Sequence, residues 1–336
     1  MVQVSTKTRE LQEADKDHFQ QEIVPLYRPV IIRQYLKDWP AVAQQKESSQ
    51  SFVNYLKSFD QGKSVVTYQG DPAIRGKFFY QSDMQGFNFE RITEKFTDAL
   101  DRILSQADQP DPLSVYSGAV SIVEHIPGFA AENQCDLAGH TAVARIWTGN
   151  AATVPTHYDM LDNIVAVVAG RRRFTLFPPE QLSNLYVGPV DFTLSGQPVS
   201  MVSLQEPDFE RFPRFRDALA VAEVAELEPG DALYIPKLWW HHVESLDPFN
   251  AIVNYWWNNT ALGNDLPFTT LMHGLISISH LPRYEREAWR AFFDHYLFRL
   301  DEDPVAHIAP EHQGILGPLT PELYKKIKAY VFSTLR

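Results

Sequence analysis

The chain has 336 residues, 44% of them hydrophobic and 21% charged, a length and balance that exclude a small disulfide-dependent fold and a disordered chain alike. With 30 Lys and Arg against 42 Asp and Glu the net charge is −12, which argues against nucleic acid as a partner unless basic residues cluster locally. Cys135 is the sole cysteine, so neither an intrachain disulfide nor a cysteine-based zinc site can form, and a reducing compartment is expected.

The first twenty residues, MVQVSTKTRELQEADKDHFQ, contain no apolar stretch of the signal-peptide kind. No later run approaches the ~18 apolar residues of a membrane span, so a cytoplasmic protein without membrane contact is expected. Residues 1–112 read as a mixed α/β flank packed on the core, in which Pro29-Val30-Ile31-Ile32 predicts a short strand. In the same flank Ile92, Phe96, Ala99, Leu100, Ile103 and Leu104 mark one face of a helix. Residues 113–260 turn to short β-rich runs, among them VARIW, NIVAVVAG, RRFTLF, DALYIP and NAIVNYWW, separated by Pro, Gly and Asn. That spacing predicts a barrel or sandwich core. Residues 261–336 are helical in pattern, and Trp289, Phe292, Phe293, Tyr296, Leu297 and Leu300 fall on one apolar stripe. The stripe either packs on its own domain or forms a subunit interface, and the sequence weights the two readings alike.

Two segments carry chemistry. Val154-Pro155-Thr156-His157-Tyr158-Asp159 precedes a β-rich stretch, and strand alternation sends His157 and Asp159 to the same face, where they can grip one ion. A lone His-x-Asp is common by chance. The second segment, Glu228-Pro229-Gly230-Asp231-Ala232-Leu233-Tyr234-Ile235-Pro236, is a turn followed by a strand, and it leads to Trp239-Trp240-His241-His242. Two imidazoles and one carboxylate are the facial set of non-haem Fe(II) oxygenases, which leaves coordination positions for a co-substrate and dioxygen. The remaining histidines, 18, 125, 140, 273, 280, 295, 307 and 312, show no ligand spacing.

Taken together, these motifs resemble those of the JmjC-related cupin-like family, in particular the asparaginyl hydroxylase that modifies the hypoxia-inducible transcription factor. The likeness includes Arg28-Pro29-Val30 through Asp38-Trp39-Pro40, His157-Tyr158-Asp159, Gly170 through Leu176-Phe177-Pro178-Pro179-Glu180-Gln181, and Pro207-Asp208-Phe209-Glu210-Arg211-Phe212-Pro213. It continues through the PGDALYIP turn, WWHH and Asn254-Tyr255-Trp256. The resemblance implies a mainly β fold with helical flanks around a double-stranded β-helix of the jelly-roll, cupin type. It also implies Fe(II), 2-oxoglutarate and dioxygen as cofactor and co-substrates, and oxygenation of an unactivated C–H bond.

By position it makes His157, Asp159 and His241 the iron ligands, with His242 the alternative to His241 on the opposite face. Arg172 stands where that relative has a lysine holding the distal carboxylate of 2-oxoglutarate, and an arginine suits a carboxylate by a bidentate grip. Asn163, Asn254 and Tyr116 match co-substrate positions. Val154 replaces a threonine whose hydroxyl contacts the co-substrate, and Thr156 is the nearby hydroxyl that could compensate. Trp256, in register with Asn254, is a substrate contact, whereas Trp239, Trp240, Tyr255 and Trp257 read as core. The function implied is hydroxylation of a protein or peptide side chain by a homodimer joined through its C-terminal helices. The alternatives are N-methyl-lysine demethylation, oxygenation of a small molecule or tRNA base, and a non-catalytic metal-binding cupin.

Overall fold

The computed structural model describes residues 4–139, 141–258 and 265–335, so His140 and the expected boundary at 260/261 lie outside the described residues. The chain divides into two compact units, one running to Asn258 and the other starting at Asn259. No described helix is long and apolar enough to cross a membrane.

The strands of the first unit are β1 (Arg9–Leu11), β2 (Val30–Ile32), β3 (Ser64–Gly70), β4 (Phe89–Lys95), β5 (Ser114–Ser121), β6 (Val143–Gly149) and β7 (Thr153–Tyr158). They continue with β8 (Asp162–Ala169), β9 (Arg172–Phe177), β10 (Glu223–Leu227), β11 (Ala232–Ile235), β12 (Trp240–Ser245) and β13 (Asn250–Trp257). One sheet has the order β1-β2-β11-β8-β13-β6-β5-β3-β4 and the other β10-β9-β12-β7. From β6 onward the chain passes back and forth between β11-β8-β13-β6 of the large sheet and the whole small sheet. Those eight strands form the double-stranded β-helix, a mainly β architecture flanked by helices.

Burial on both faces explains the unbroken run NIVAVVA. Every residue of β8 is buried. Val165 and Val167 point between the sheets with Phe174, Leu176, Leu227, Leu233, Trp239 and Ile252. Ile164, Ala166 and Val168 face the helical flank with Phe19, Val42, Phe52, Phe96 and Phe129. Tyr255 and Trp257 belong to that outer layer, and Trp240 packs with Phe177 and Phe215. The predicted strand at Val30–Ile32 is present and buried. Of the predicted helix face Phe96, Ala99, Leu100 and Ile103 are helical and buried and Leu104 is helical and half-buried, whereas Ile92 lies on β4, where the chain stays extended to Lys95 in its pairing with β3.

Two turns place the chemistry-bearing strands. Gly170, at φ +67°, turns β8 into β9 so tightly that a Cβ there would sit 2.4 Å from Asn250 Oδ1, which reserves the position for glycine. In the Pro-Gly-Asp turn the Asp231 carboxylate accepts the backbone N–H groups of Glu228 and Gln34 and pairs with Arg33 at 2.7 Å. These bonds tie β11 to the N-terminal flank.

The second unit contains helices Pro267–Ser277, Arg283–Phe293 and Pro321–Thr334, none with a buried residue. After Phe293 the helix widens into a π-helical turn, Asp294–Phe298. The apolar stripe does not become the core of this unit: Trp289 is 47% exposed, Phe292 57%, Leu297 55% and Leu300 69%.

Candidate metal centre

His157 on β7 and His241 on β12 are directly opposed in the small sheet, with ring centroids 4.2 Å apart. Asp159 follows β7, and its carbonyl accepts the Leu238 N–H at 2.8 Å, so the segments bearing the three side chains are stitched together. One donor atom from each of His157, Asp159 and His241 lies within 4.8 Å of the others, a spread that one cation can draw together. Each imidazole is oriented by the same local device. His157 Nδ1 faces the Pro155 carbonyl at 2.8 Å and His241 Nδ1 faces the Trp239 carbonyl at 3.1 Å. A carbonyl accepts only from Nδ1–H, so in the neutral imidazole it is Nε2 that keeps the lone pair a metal requires. Burial, with the neighbouring His157, pushes the His241 imidazole down to about 4, so it is neutral at pH 7.

These groups line a cavity of about 380 Å³ between the sheets. Arg172 reaches the same cavity from β9 with 1% of its surface exposed, and its Nε and Nη2 have no hydrogen-bond partner. Burial lowers its pKa, yet a guanidinium stays protonated, so an unpartnered cation faces the pocket. Such a group calls for an anion. Tyr116 lines the cavity too, its phenol pushed up to about 12 by burial while Arg172 pulls the other way.

Asn163, Asn254 and Trp256 also line the cavity, joined in a chain that ends on the carboxylate. Asn254 Nδ2 donates to Asn163 Oδ1 at 2.9 Å, and Asn163 Nδ2 donates to Asp159 Oδ2 at 3.0 Å. The Trp256 indole Nε1 donates to the same oxygen at 3.1 Å.

Two neighbours lie elsewhere. His242 turns to the outer face, where the Gln205 amide sits 3.1 Å from its Nε2, and burial pushes its pKa down to about 3. Thr156 does not reach the cavity: its hydroxyl lies against His242 Nδ1 at 3.5 Å. Strand alternation sends Thr156 to the face opposite His157, and an irregularity in pairing, His241 with His157 but Val243 with Val154, brings Val154 onto the cavity face beside His157. The sequence reading also missed an outer wall of the cavity formed by Tyr68, Phe78, Phe89 and Leu194. These residues come from segments without ligand-like spacing, and Arg91 Nη2 bonded to the Leu194 carbonyl at 2.8 Å ties two of them together.

The family described as "Cupin-like domain" matches residues 16–262. Among curated proteins the chain is similar to human "HSPB1-associated protein 1", 40% identical over 113 residues, which are 33% of this chain and 22% of the relative. It is similar to "Lysine-specific demethylase JMJ31" of Arabidopsis thaliana, 35% identical over 119 residues, 35% of this chain and 21% of the relative. It is also similar to "tRNA wybutosine-synthesizing protein 5" of Mus musculus, 38% identical over 104 residues, 31% of this chain and 30% of the relative. Each match spans less than a third of the relative's own length.

Proposed function

The chain belongs to the cupin-like domain family, and on that premise we propose that it is an Fe(II)- and 2-oxoglutarate-dependent oxygenase, acting as a hydroxylase on a protein or peptide side chain. One observation carries the reading: the same cavity is lined by the His-Asp-His donor set and by the buried Arg172 guanidinium, two of whose nitrogens have no partner among the described residues. A ligand that satisfies both needs a carboxylate for the arginine and further oxygens for a cation, and 2-oxoglutarate has both. His157, Asp159 and His241 would hold the iron, with Arg172 and Tyr116 on the distal carboxylate. Bound together, iron and 2-oxoglutarate supply the oxidation of a C–H bond by dioxygen, with succinate and carbon dioxide as co-products. The chain's own part is to orient the ligands, neutralise the co-substrate and exclude water.

The choice of a neutral side chain as substrate rests on the cavity lining. Among the described residues that line it, apart from Arg172 and the donor set, the Tyr68 and Tyr116 phenols are the only ionisable groups, so a methylated ammonium would find no free carboxylate among them and a phosphate no lysine. The net charge of −12 disfavours tRNA in the same way. The test is anaerobic Fe(II) loading followed by 2-oxoglutarate consumption with panels of peptides, methylated peptides, tRNA and small molecules. Peptide-dependent succinate with a gain of one oxygen supports the reading. Binding of 2-oxoglutarate without turnover in any panel would make the protein a non-catalytic cupin.

The proposal extends to a homodimer and to a cytoplasmic setting, the latter supported by the single cysteine. Among the described residues of the second unit, Pro304 and Val305 are the only buried apolar side chains, too little to hold a helical unit folded unaided. A second copy offers the same apolar stripe at equal concentration, as an isologous interface requires. Light scattering should give twice the 38.4 kDa chain mass, and Phe292→Glu with Leu297→Glu should give monomers. A wild-type mass near one chain would refute the dimer.

A further inference from the structure

We propose that Trp256 is a positioning residue for the metal-binding carboxylate: together with Asn163 it holds Asp159 in one orientation toward a cation. Asn163 on β8 and Trp256 on β13 are directly opposed across the large sheet, which sets their Cβ atoms about 4.5–5.5 Å apart on one face. From these two positions an amide N–H and an indole N–H converge on Oδ2 at 3.0 and 3.1 Å. Two donors on one oxygen block rotation of the carboxylate, and that same oxygen stands 3.9 Å from His241 Nε2, so the pair fixes how the carboxylate meets a cation held by the imidazoles.

Both donors are themselves held. Asn163 accepts from Asn254 at 2.9 Å, and the Trp256 ring stands edge-on to Trp147 at 5.9 Å, which in turn stacks on Tyr116 at 5.8 Å. A carboxylate free to turn could ligate through both oxygens and occupy a position that a chelating co-substrate requires. Trp256 therefore serves the metal centre, in place of the substrate contact that its register with Asn254 implied. The inference rests on the metal reading of the cavity.

Trp256→Phe keeps the ring in the core and deletes the N–H. Co(II), whose visible absorption reports coordination number, is the probe. The variant should bind Co(II) with a shifted visible band, and its 2-oxoglutarate requirement should rise about tenfold with a smaller change in kcat, the scale seen when a partner of a metal ligand is lost. Trp147→Phe shortens the same aromatic chain, but its Nε1 has no partner, so its Co(II) band should stay in place. A merely structural role for Trp256 would move both bands alike. If Trp256→Phe does not fold, Asn163→Ala removes the other donor to Oδ2 and should reproduce the shift. An unchanged band in the folded variant overturns the proposal. A wild-type protein that binds no Co(II) would instead overturn the metal reading, so the two failures are distinguishable.

Discussion

The two faces of the small sheet carry the same residue types and treat them in opposite ways. On the outer face Arg173 pairs with Glu226 at 2.8 Å, and His242 sits between Gln205 and Thr156. On the inner face, one residue away in each case, Arg172 keeps two unpartnered nitrogens and His241 turns Nε2 toward His157 and Asp159. Burial is near-complete for both histidines and for Arg172, so accessibility does not separate function from structure here. What separates the faces is satisfaction. Buried polar groups are normally paired because leaving one unpaired costs about 1–3 kcal/mol, and a sheet that pairs them outside but not inside has reserved the inside for a ligand.

Alanine at adjacent histidines gives the sharpest break of this contrast. His241→Ala, like His157→Ala and Asp159→Ala, should abolish turnover and weaken Fe(II) binding, whereas His242→Ala should cost stability and retain Fe(II) binding. Calorimetric Fe(II) titration under anaerobic conditions, with succinate formation as the second readout, checks the set. Full activity in His241→Ala would erase the distinction between the faces.

A smaller effect separates the arginines. Arg172→Ala should raise the 2-oxoglutarate requirement roughly ten- to a hundredfold, the scale of a lost charge-assisted pair worth about 1.5–3 kcal/mol, with little change in metal affinity. Arg173→Ala loses a partly exposed ion pair and should leave the requirement within about twofold. Unchanged 2-oxoglutarate affinity in Arg172→Ala would move the carboxylate site to Tyr116 or Arg145.

How much of this was legible in the sequence depends on how far each feature is local. The alternation of His157 with Asp159, of His241 with His242, and of Arg172 with its neighbours needs only a strand, and the β-rich runs supply one. Thr156 was misplaced although the same alternation puts it opposite His157; what nothing in VPTHYD marks is the pairing irregularity that brings Val154 onto the cavity face. The convergence of Asn163 and Trp256 on Asp159 depends on the register between β8 and β13, segments distant in the chain whose pairing no local pattern fixes. The stripe from Trp289 to Leu300 was legible as a periodicity, but its covering is a matter of what meets it.

Acid sharpens the comparison through the outer histidine. In the folded chain His242 is held down to about 3 and His241 to about 4, chiefly by burial, against an unfolded value near 6.5. Their folded pKa values are depressed, so the unfolded chain binds more protons below about pH 6.5 and stability falls as pH drops from there toward the folded values. Each such histidine contributes a slope of about 1.4 kcal/mol per pH unit inside that window. Urea denaturation of metal-free protein at pH 7 and pH 5 should show the loss. His242→Gln should remove one proton's share of the slope while leaving 2-oxoglutarate binding in place, and an unchanged slope would mean that His242 is not held neutral by burial.

The smallest expected effect lies at the irregularity itself. Val154 faces the cavity and Thr156 faces His242, so an isosteric exchange at each position asks which face a hydroxyl serves. Val154→Thr places a hydroxyl on the cavity wall, and a single net hydrogen bond of about 0.5–1.5 kcal/mol to a bound co-substrate should lower the 2-oxoglutarate requirement about two- to tenfold. Thr156→Val removes the outer hydroxyl from a 3.5 Å contact with His242 and should leave that requirement unchanged, with any cost appearing in thermal stability. The measurement is the KM for 2-oxoglutarate in both variants beside wild type. If Thr156→Val raised it and Val154→Thr left it alone, Thr156 would be the co-substrate contact after all, and the irregularity in β7 would not divide the two faces as the pairing places them.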